Sequence, residues 1–248
     1  MINRFEKTTI IFLLVLISSV CLAKLQTGYV FPQIVAQDGY FDIFYLTNEG
    51  VKYRIQVDSR GNVLKQQSEI AEIPEVFWRQ EDKELEKRYQ LEYVYSRMQH
   101  DDLTYFLGVT SDSRLQIYVQ NNITMDVKFK DLGYTLVMEF GPYCSNLVYN
   151  NNKLYIVAWI LGSEKETLKY DMVIYEWDYM KNVTRIYPIA QNLTIYNTTL
   201  SLAATKGMLG LVYYAVDNTV PFKLKNRIRL VLIDIQDLTI KKNIWISK

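Results

Sequence analysis

From residue 33 onward the chain alternates apolar and polar residues in short runs, broken by clusters of Asn, Asp, Gly and Ser. A period of two in segments rich in Val, Ile, Tyr and Phe predicts β-strands joined by turns. The same order of elements recurs four times. Each unit opens with a short strand, a polar turn and an apolar strand, at 33–35 with 40–46, 91–95 with 103–109, 146–149 with 154–160, and 200–203 with 209–215. A third strand is predicted at 53–57, 115–119, 172–177 and 229–233, and a fourth at 63–66, 123–129, 183–189 and 238–246. Aligning Asp58, Gln120, Asp178 and Asp234, each taken to open the last turn of its unit, gives spacings of 62, 58 and 56 residues. Twenty tyrosines suit such strands, because the ring packs on a pleated surface while the hydroxyl reaches water.

Segments 154–160 and 209–215 are apolar on both faces, which predicts strands enclosed between two sheets. A lone four-stranded sheet buries one face well and leaves two edges, whereas stacked sheets cover each other's faces. Four consecutive antiparallel four-stranded units resemble the blades of a β-propeller. The resemblance spans nearly all of residues 24–248 and is one of architecture. There is no kelch double glycine, and Asp58-Ser59-Arg60-Gly61 matches only part of an Asp box. The expectation is an all-β, β-propeller-like domain with units near 24–71, 90–130, 134–190 and 199–248. A β-sandwich and an open propeller fragment are the alternatives. If the ring closes, residues 25–31 are expected beside the last unit. Residues 72–89 interrupt the pattern: Pro74 opens a stretch whose 80–89 portion mixes both charges at i,i+4 spacing, predicting a short solvated helix or loop.

The N-terminus carries a different signal. Arg4 and Lys7 precede an apolar run over 8–22 that closes on Cys21-Leu22-Ala23. Charged, apolar and small-residue regions in that order predict a signal peptide over residues 1–23, cleaved after Ala23. The run is short of the ~20 residues that a spanning helix needs. Export to the outside is therefore expected, with retention in the ER lumen or anchoring by an uncleaved segment as alternatives. Four sequons agree with that route, at Asn122, Asn182, Asn192 and Asn197. Asn122 and Asn182 fall in equivalent turns before a fourth strand, while Asn192 and Asn197 are placed in the connection between the third and fourth units. Cleavage removes Cys21 and leaves Cys144 as a single thiol, read as inert and buried, with an intermolecular link as the alternative.

Composition narrows the chemistry. Twenty-eight Lys and Arg against 27 Asp and Glu supply no basic surplus for nucleic acid or an anionic membrane surface. One histidine and two cysteines argue against His-rich or Cys-based metal centres, and no phosphate loop, nucleophile elbow or other cofactor motif occurs. His100, Asp101 and Asp102 share a hairpin turn, where adjacent side chains diverge. Asp58, Glu176, Asp178 and Asp234 are candidates for a hydrolase that uses carboxylates alone on a glycan or ester, although capping a turn explains the aspartates equally. Trp159, Trp177 and Trp245 are expected between sheets, and Trp78 in the insertion.

The longest hairpin connections, 161–170 and 216–226, are the expected recognition surface for a protein or glycan, through Lys165, Lys169, Phe222, Lys223 and Lys225. The sequence thus predicts a secreted or lumenal glycoprotein that binds another macromolecule without catalysis and without a cofactor. The alternatives are the hydrolase and a structural subunit or truncated relative of a larger propeller.

Overall fold

In a computed structural model the described residues are 32–47, 50–73, 82–134, 137–138, 141–142, 144–161, 170–193, 200–217 and 225–246. The predicted signal segment, residues 25–31 and Trp78 lie outside them. Unit 1 comprises β1 (Gln33–Ala36), β2 (Tyr40–Leu46), β3 (Lys52–Asp58) and β4 (Val63–Ser68). A single-helix insertion, α1 (Lys83–Tyr89), precedes unit 2, which comprises β5 (Leu91–His100), β6 (Leu103–Thr110), β7 (Arg114–Asn121) and β8 (Val127–Tyr134). A two-stranded hairpin, β9 (Val137–Met138) with β10 (Gly141–Pro142), leads to unit 3: β11 (Val148–Asn150), β12 (Lys153–Leu161), β13 (Tyr170–Asp178) and β14 (Val183–Leu193). Unit 4 is β15 (Leu200–Thr205), β16 (Met208–Asp217), β17 (Lys225–Asp234) and β18 (Ile240–Trp245). Each unit is one antiparallel four-stranded sheet with its strands in sequence order.

The sheets stack face to face like propeller blades, and a two-sheet sandwich does not describe them. Alternation decides which side chain meets which neighbour. In β6, Tyr105, Leu107 and Val109 face unit 3, where they pack with Leu154, Ile156, Tyr175 and Trp177. In β12, Tyr155, Val157 and Trp159 point the other way, toward Leu209, Leu211 and Val231 of unit 4. Val212, Leu230 and Leu232 of unit 4 then meet Ile34, Phe41 and Ile43 of unit 1. The stack therefore runs 2, 3, 4, 1. No core cluster among the described residues joins unit 1 to unit 2, and the sheets do not close. Instead α1 lays Leu85 and Tyr89 on the outer face of unit 2, beside Leu91, Val94, Phe106 and Tyr118. Its start is fixed by Asp82, which accepts from the Leu85 amide at 3.0 Å, and its end by Gln90 in the left-handed conformation.

The innermost strand of a sheet has one unpaired backbone edge, and side chains of the preceding unit satisfy it. Ser96 Oγ accepts from the Leu147 amide at 3.1 Å. Asn146 bonds both the amide and the carbonyl of Leu202, each at 2.9 Å. Ser201 Oγ accepts from the Ile34 amide at 3.3 Å. Ser96, Asn146 and Ser201 occupy one equivalent position; Gln33 holds it in unit 1 and is also buried. Buried backbone groups need partners, so these contacts fix the register of one unit against the next.

Several boundaries differ from the sequence reading. The position equivalent to Asp58, Asp178 and Asp234 is Asn121, not Gln120: each ends its third strand opposite the first residue of the second. Each also caps the following turn. Asp58 accepts from Arg60 and Asn62, Asn121 from Ile123 and Thr124, Asp178 from Lys181, and Asp234 from Gln236. These caps lengthen the turns, so β8 begins at Val127 rather than 123 and β18 at Ile240 rather than 238. Asn192 lies on β14 rather than in a connection, because this edge strand continues past Pro188 by way of register shifts.

Asn146→Leu should leave both Leu202 backbone groups buried and unbonded, at a cost of about 2–4 kcal/mol. Urea denaturation of the variant against the parent chain measures it.

Candidate functional site

Strand alternation assigns the loops to two ends. The first and third turns of every unit share one end, and the connections between second and third strands emerge at the other. Of the expected recognition residues, Lys165, Lys169, Phe222 and Lys223 lie outside the described residues. Lys225 opens β17, on a strand rather than in a loop.

At the turn end, the seam between units 2 and 3 gathers an aromatic and amide cluster. The β11–β12 turn holds Asn151 and Asn152 at φ 50° and 61°, the two left-handed positions of a tight hairpin. Tyr149 and Tyr179 hydroxyls donate to Asn152 Oδ1 at 3.2 and 3.4 Å. The Tyr105 and Tyr179 hydroxyls are 3.1 Å apart, and their rings meet edge to face at 5.7 Å. Tyr149 packs on Tyr105 at 5.2 Å, and the His100 ring covers Tyr149 at 4.9 Å. Lys128 of β8 reaches across to the Tyr179 carbonyl at 3.3 Å. Burial pushes the Tyr105 and Tyr179 hydroxyls above the ordinary tyrosine range, so both stay neutral donors. Such a cluster presents ring faces and neutral hydrogen-bonding groups.

The carboxylates are engaged in the frame. Asp58, Asp178 and Asp234 cap turns of three different units. Glu176 is buried under Arg185, which grips it through Nε (2.6 Å) and Nη2 (2.7 Å), with Lys153 at 3.2 Å. Asp42 is buried in the same manner by Arg54, at 2.8 Å through two bonds, and by Gln56 at 3.1 Å. Sequence reasoning missed this pair; the signal was an Asp interrupting the otherwise apolar 40–46 strand. For Asp131, burial raises the carboxyl pKa, but bonds from Arg114 (2.7 Å), Gly133 (2.7 Å) and Gln116 (3.3 Å) outweigh it and hold it below the ordinary range. His100 Nδ1 lies 3.0 Å from Asp101. Among the described residues no three His, Cys, Asp or Glu side chains gather to hold a metal ion.

The aromatic candidates divide. Trp177 is buried between units 2 and 3 and Trp159 between units 3 and 4. Trp245 is half-buried beneath Arg229, whose guanidinium carbon sits 4.5 Å from the ring centre. Cys144 is buried in the seam between units 2 and 3, and burial drives its thiol well above the ordinary range. Asn122 and Asn182 are exposed at the turn end; the Asn192 side chain and all of Asn197 lie outside the described residues.

No family model matches the chain, and neither does any curated protein. Solved structures resemble it only distantly. The β-propeller domain of the Trilobed protease from Pyrococcus furiosus is 8% identical over 88% of this chain and 58% of its own, with a TM-score of 0.38. Cobalt-substituted apocarotenoid oxygenase from Synechocystis is 10% identical over 89% of this chain and 50% of its own, at 0.36. An α-L-arabinofuranosidase from Clostridium thermocellum is 14% identical over 87% and 72%, at 0.37. The chain spans about half the length of the oxygenases it matches. The architecture is β-propeller-like on the strength of its own four sheets. The chemistry of those proteins does not transfer at such similarity.

Two measurements check the frame. Asp131 has a depressed pKa when folded, so its contribution is complete above ~pH 4 and is lost as the pH falls through the folded value. Asp131→Asn should therefore flatten the fall in stability between about pH 5 and pH 2, read by thermal melts across that window. Cys144 should resist a thiol reagent in native buffer and react at once in denaturant.

Proposed function

We propose that the protein is an exported glycoprotein whose propeller-like domain binds another macromolecule, a protein or a glycan, through the connections at the end opposite the turn cluster, without catalysing a reaction. The observation that carries this reading is a pair of long hairpins in adjacent units. Pairing of β12 with β13 continues to Leu161 and Tyr170, and pairing of β16 with β17 to Asp217 and Lys225. Units 3 and 4 pack on each other through a continuous apolar core. The paired strand ends at Leu161 and Tyr170 and at Asp217 and Lys225 thus belong to two units that share one core, and supports held in this way suit recognition. The engagement of Asp42, Glu176 and Asp131 by basic side chains, and of Asp58, Asp178 and Asp234 by turn amides, favours a frame over acid–base chemistry.

Export rests on the pattern of residues 1–23. Among the described residues no helix is long and apolar enough to cross a membrane. In a secretory host, the full chain should reach the medium with Lys24 as its first residue, read by N-terminal sequencing. Charge reversal of Lys165, Lys169, Lys223 and Lys225 together should weaken binding to the captured partner at least about tenfold, or ~1.4 kcal/mol, without changing the melting temperature. Unchanged binding, or turnover of a glycan or ester by the parent chain, would refute the reading.

A further inference from the structure

Asn122 and Asn182 lie in the last turns of units 2 and 3, at one end of the stack, and both are exposed. In each, the carbonyl oxygen is turned inward. Asn122 Oδ1 accepts from Thr104 Oγ1 at 3.0 Å and from Gln120 Nε2 at 3.4 Å, and Asn182 Oδ1 accepts from Trp177 Nε1 at 3.3 Å. Neither Nδ2 has a hydrogen-bond partner among the described residues. The free atom is the one through which an asparagine is glycosylated.

Thr184, the third residue of the second sequon, supplies an independent observation. It sits opposite Trp177 across the β13–β14 pair, and its Oγ1 is buried without a hydrogen-bond partner among the described residues. A buried, unbonded hydroxyl costs stability that the isosteric valine would not. Packing gives no reason for threonine here. The Asn-x-Thr signal, which is read on the chain before it folds, does.

The surroundings give such a modification a purpose. Of the nine large apolar side chains exposed among the described residues, six flank these two asparagines: Ile123, Met125 and Phe129, and Met180, Val183 and Ile186. They belong to β8, β14 and the preceding turns, and both strands are outermost in their sheets. Apolar outer edges with unpaired backbone are templates for association.

We propose that Asn122 and Asn182 carry N-linked oligosaccharides, which cover the outer edges of units 2 and 3. In the step, Nδ2 attacks the anomeric carbon of an oligosaccharide carried on a polyprenyl pyrophosphate. The nitrogen–carbon bond forms as the carbon–oxygen bond to pyrophosphate breaks; polyprenyl pyrophosphate leaves, and Nδ2 gives up one proton. The inference rests on the export reading, because that donor is met in the secretory compartment.

The test produces the full chain in a glycosylating secretory host, once with its own N-terminal segment and once behind a signal peptide of established function. Peptide N-glycosidase in heavy-oxygen water converts each glycosylated asparagine to labelled aspartate, located by mass spectrometry. Label at 122 and 182 is expected in both products. Label in the fused product alone overturns the export reading and upholds the sites. Absence of label at 122 and 182 in an exported fused product overturns the sites. Thr184→Ser should keep the second glycan and Thr184→Val should lose it. Made without glycosylation, Thr184→Val should melt no lower than the parent; a clear drop would show that the hydroxyl serves packing and would remove the argument from Thr184. Exported Thr124→Val/Thr184→Val should elute as a larger species than the glycosylated parent, and a monomeric elution would overturn the covering role.

Discussion

The unpaired backbone edge of each innermost strand is the constraint on which the stack depends. A sheet that ends near an axis has no further strand to pair with, and its outward amides and carbonyls are shut away from water by the neighbouring sheets. Short polar side chains from the preceding unit fill the role of the missing strand. Ser96 serves Leu147, Asn146 serves Leu202, and Ser201 serves Ile34. Apolar packing alone would let one sheet slide on another, since burial has no direction. A bond to one particular amide does not slide. The inter-unit contacts of Trp177, Trp159 and Phe41 are positioned as a consequence.

A second regularity lies at the rim. The residue opposite the strand position two before each capping Asp or Asn is basic in every unit: Lys65, Lys128, Arg185 and Lys242. Each meets what its seam provides. Lys128 reaches the turn of unit 3 through the Tyr179 carbonyl. Lys242 lies under the turn of unit 1, where a Cβ on Gly61 would come 3.1 Å from its side chain and φ is +83°. Arg185 folds back onto Glu176. Lys65 lies on the outward face of unit 1, on the side of Gln56 and Asp42.

The symmetry breaks between units 1 and 2, and the break is visible in side-chain chemistry. Elsewhere the buried faces of the central strands are mainly apolar, with the Glu176–Arg185 pair of unit 3 as an exception. On the outward side of unit 1 they carry Asp42, Arg54 and Gln56, and on that of unit 2 Arg114 and Gln116, which bond Asp131 of the outer strand β8. Aromatic rings continue the second surface, with Tyr89 of the helix against Phe106 and Tyr118, and Phe129 beyond. Faces so rich in paired charge do not form an apolar core with each other. The order 2, 3, 4, 1 follows.

Strand periodicity, the turn residues and the fourfold recurrence were legible in the chain, because they arise from neighbours in sequence: a pleat has period two, and an Asx turn is closed within five residues. The sequons and the charge balance were legible for the same reason. The register of the repeat was misjudged by one residue at Gln120, since only cross-strand pairing shows that Asn121 opposes Leu103. Nothing local marks Ser96 or Ser201 as a latch, Asp42 as an ion-pair partner under Arg54, or Thr184 as a buried hydroxyl without a mate. Those identities depend on residues far along the chain, and only the packing of one sheet on the next brings them within bonding distance.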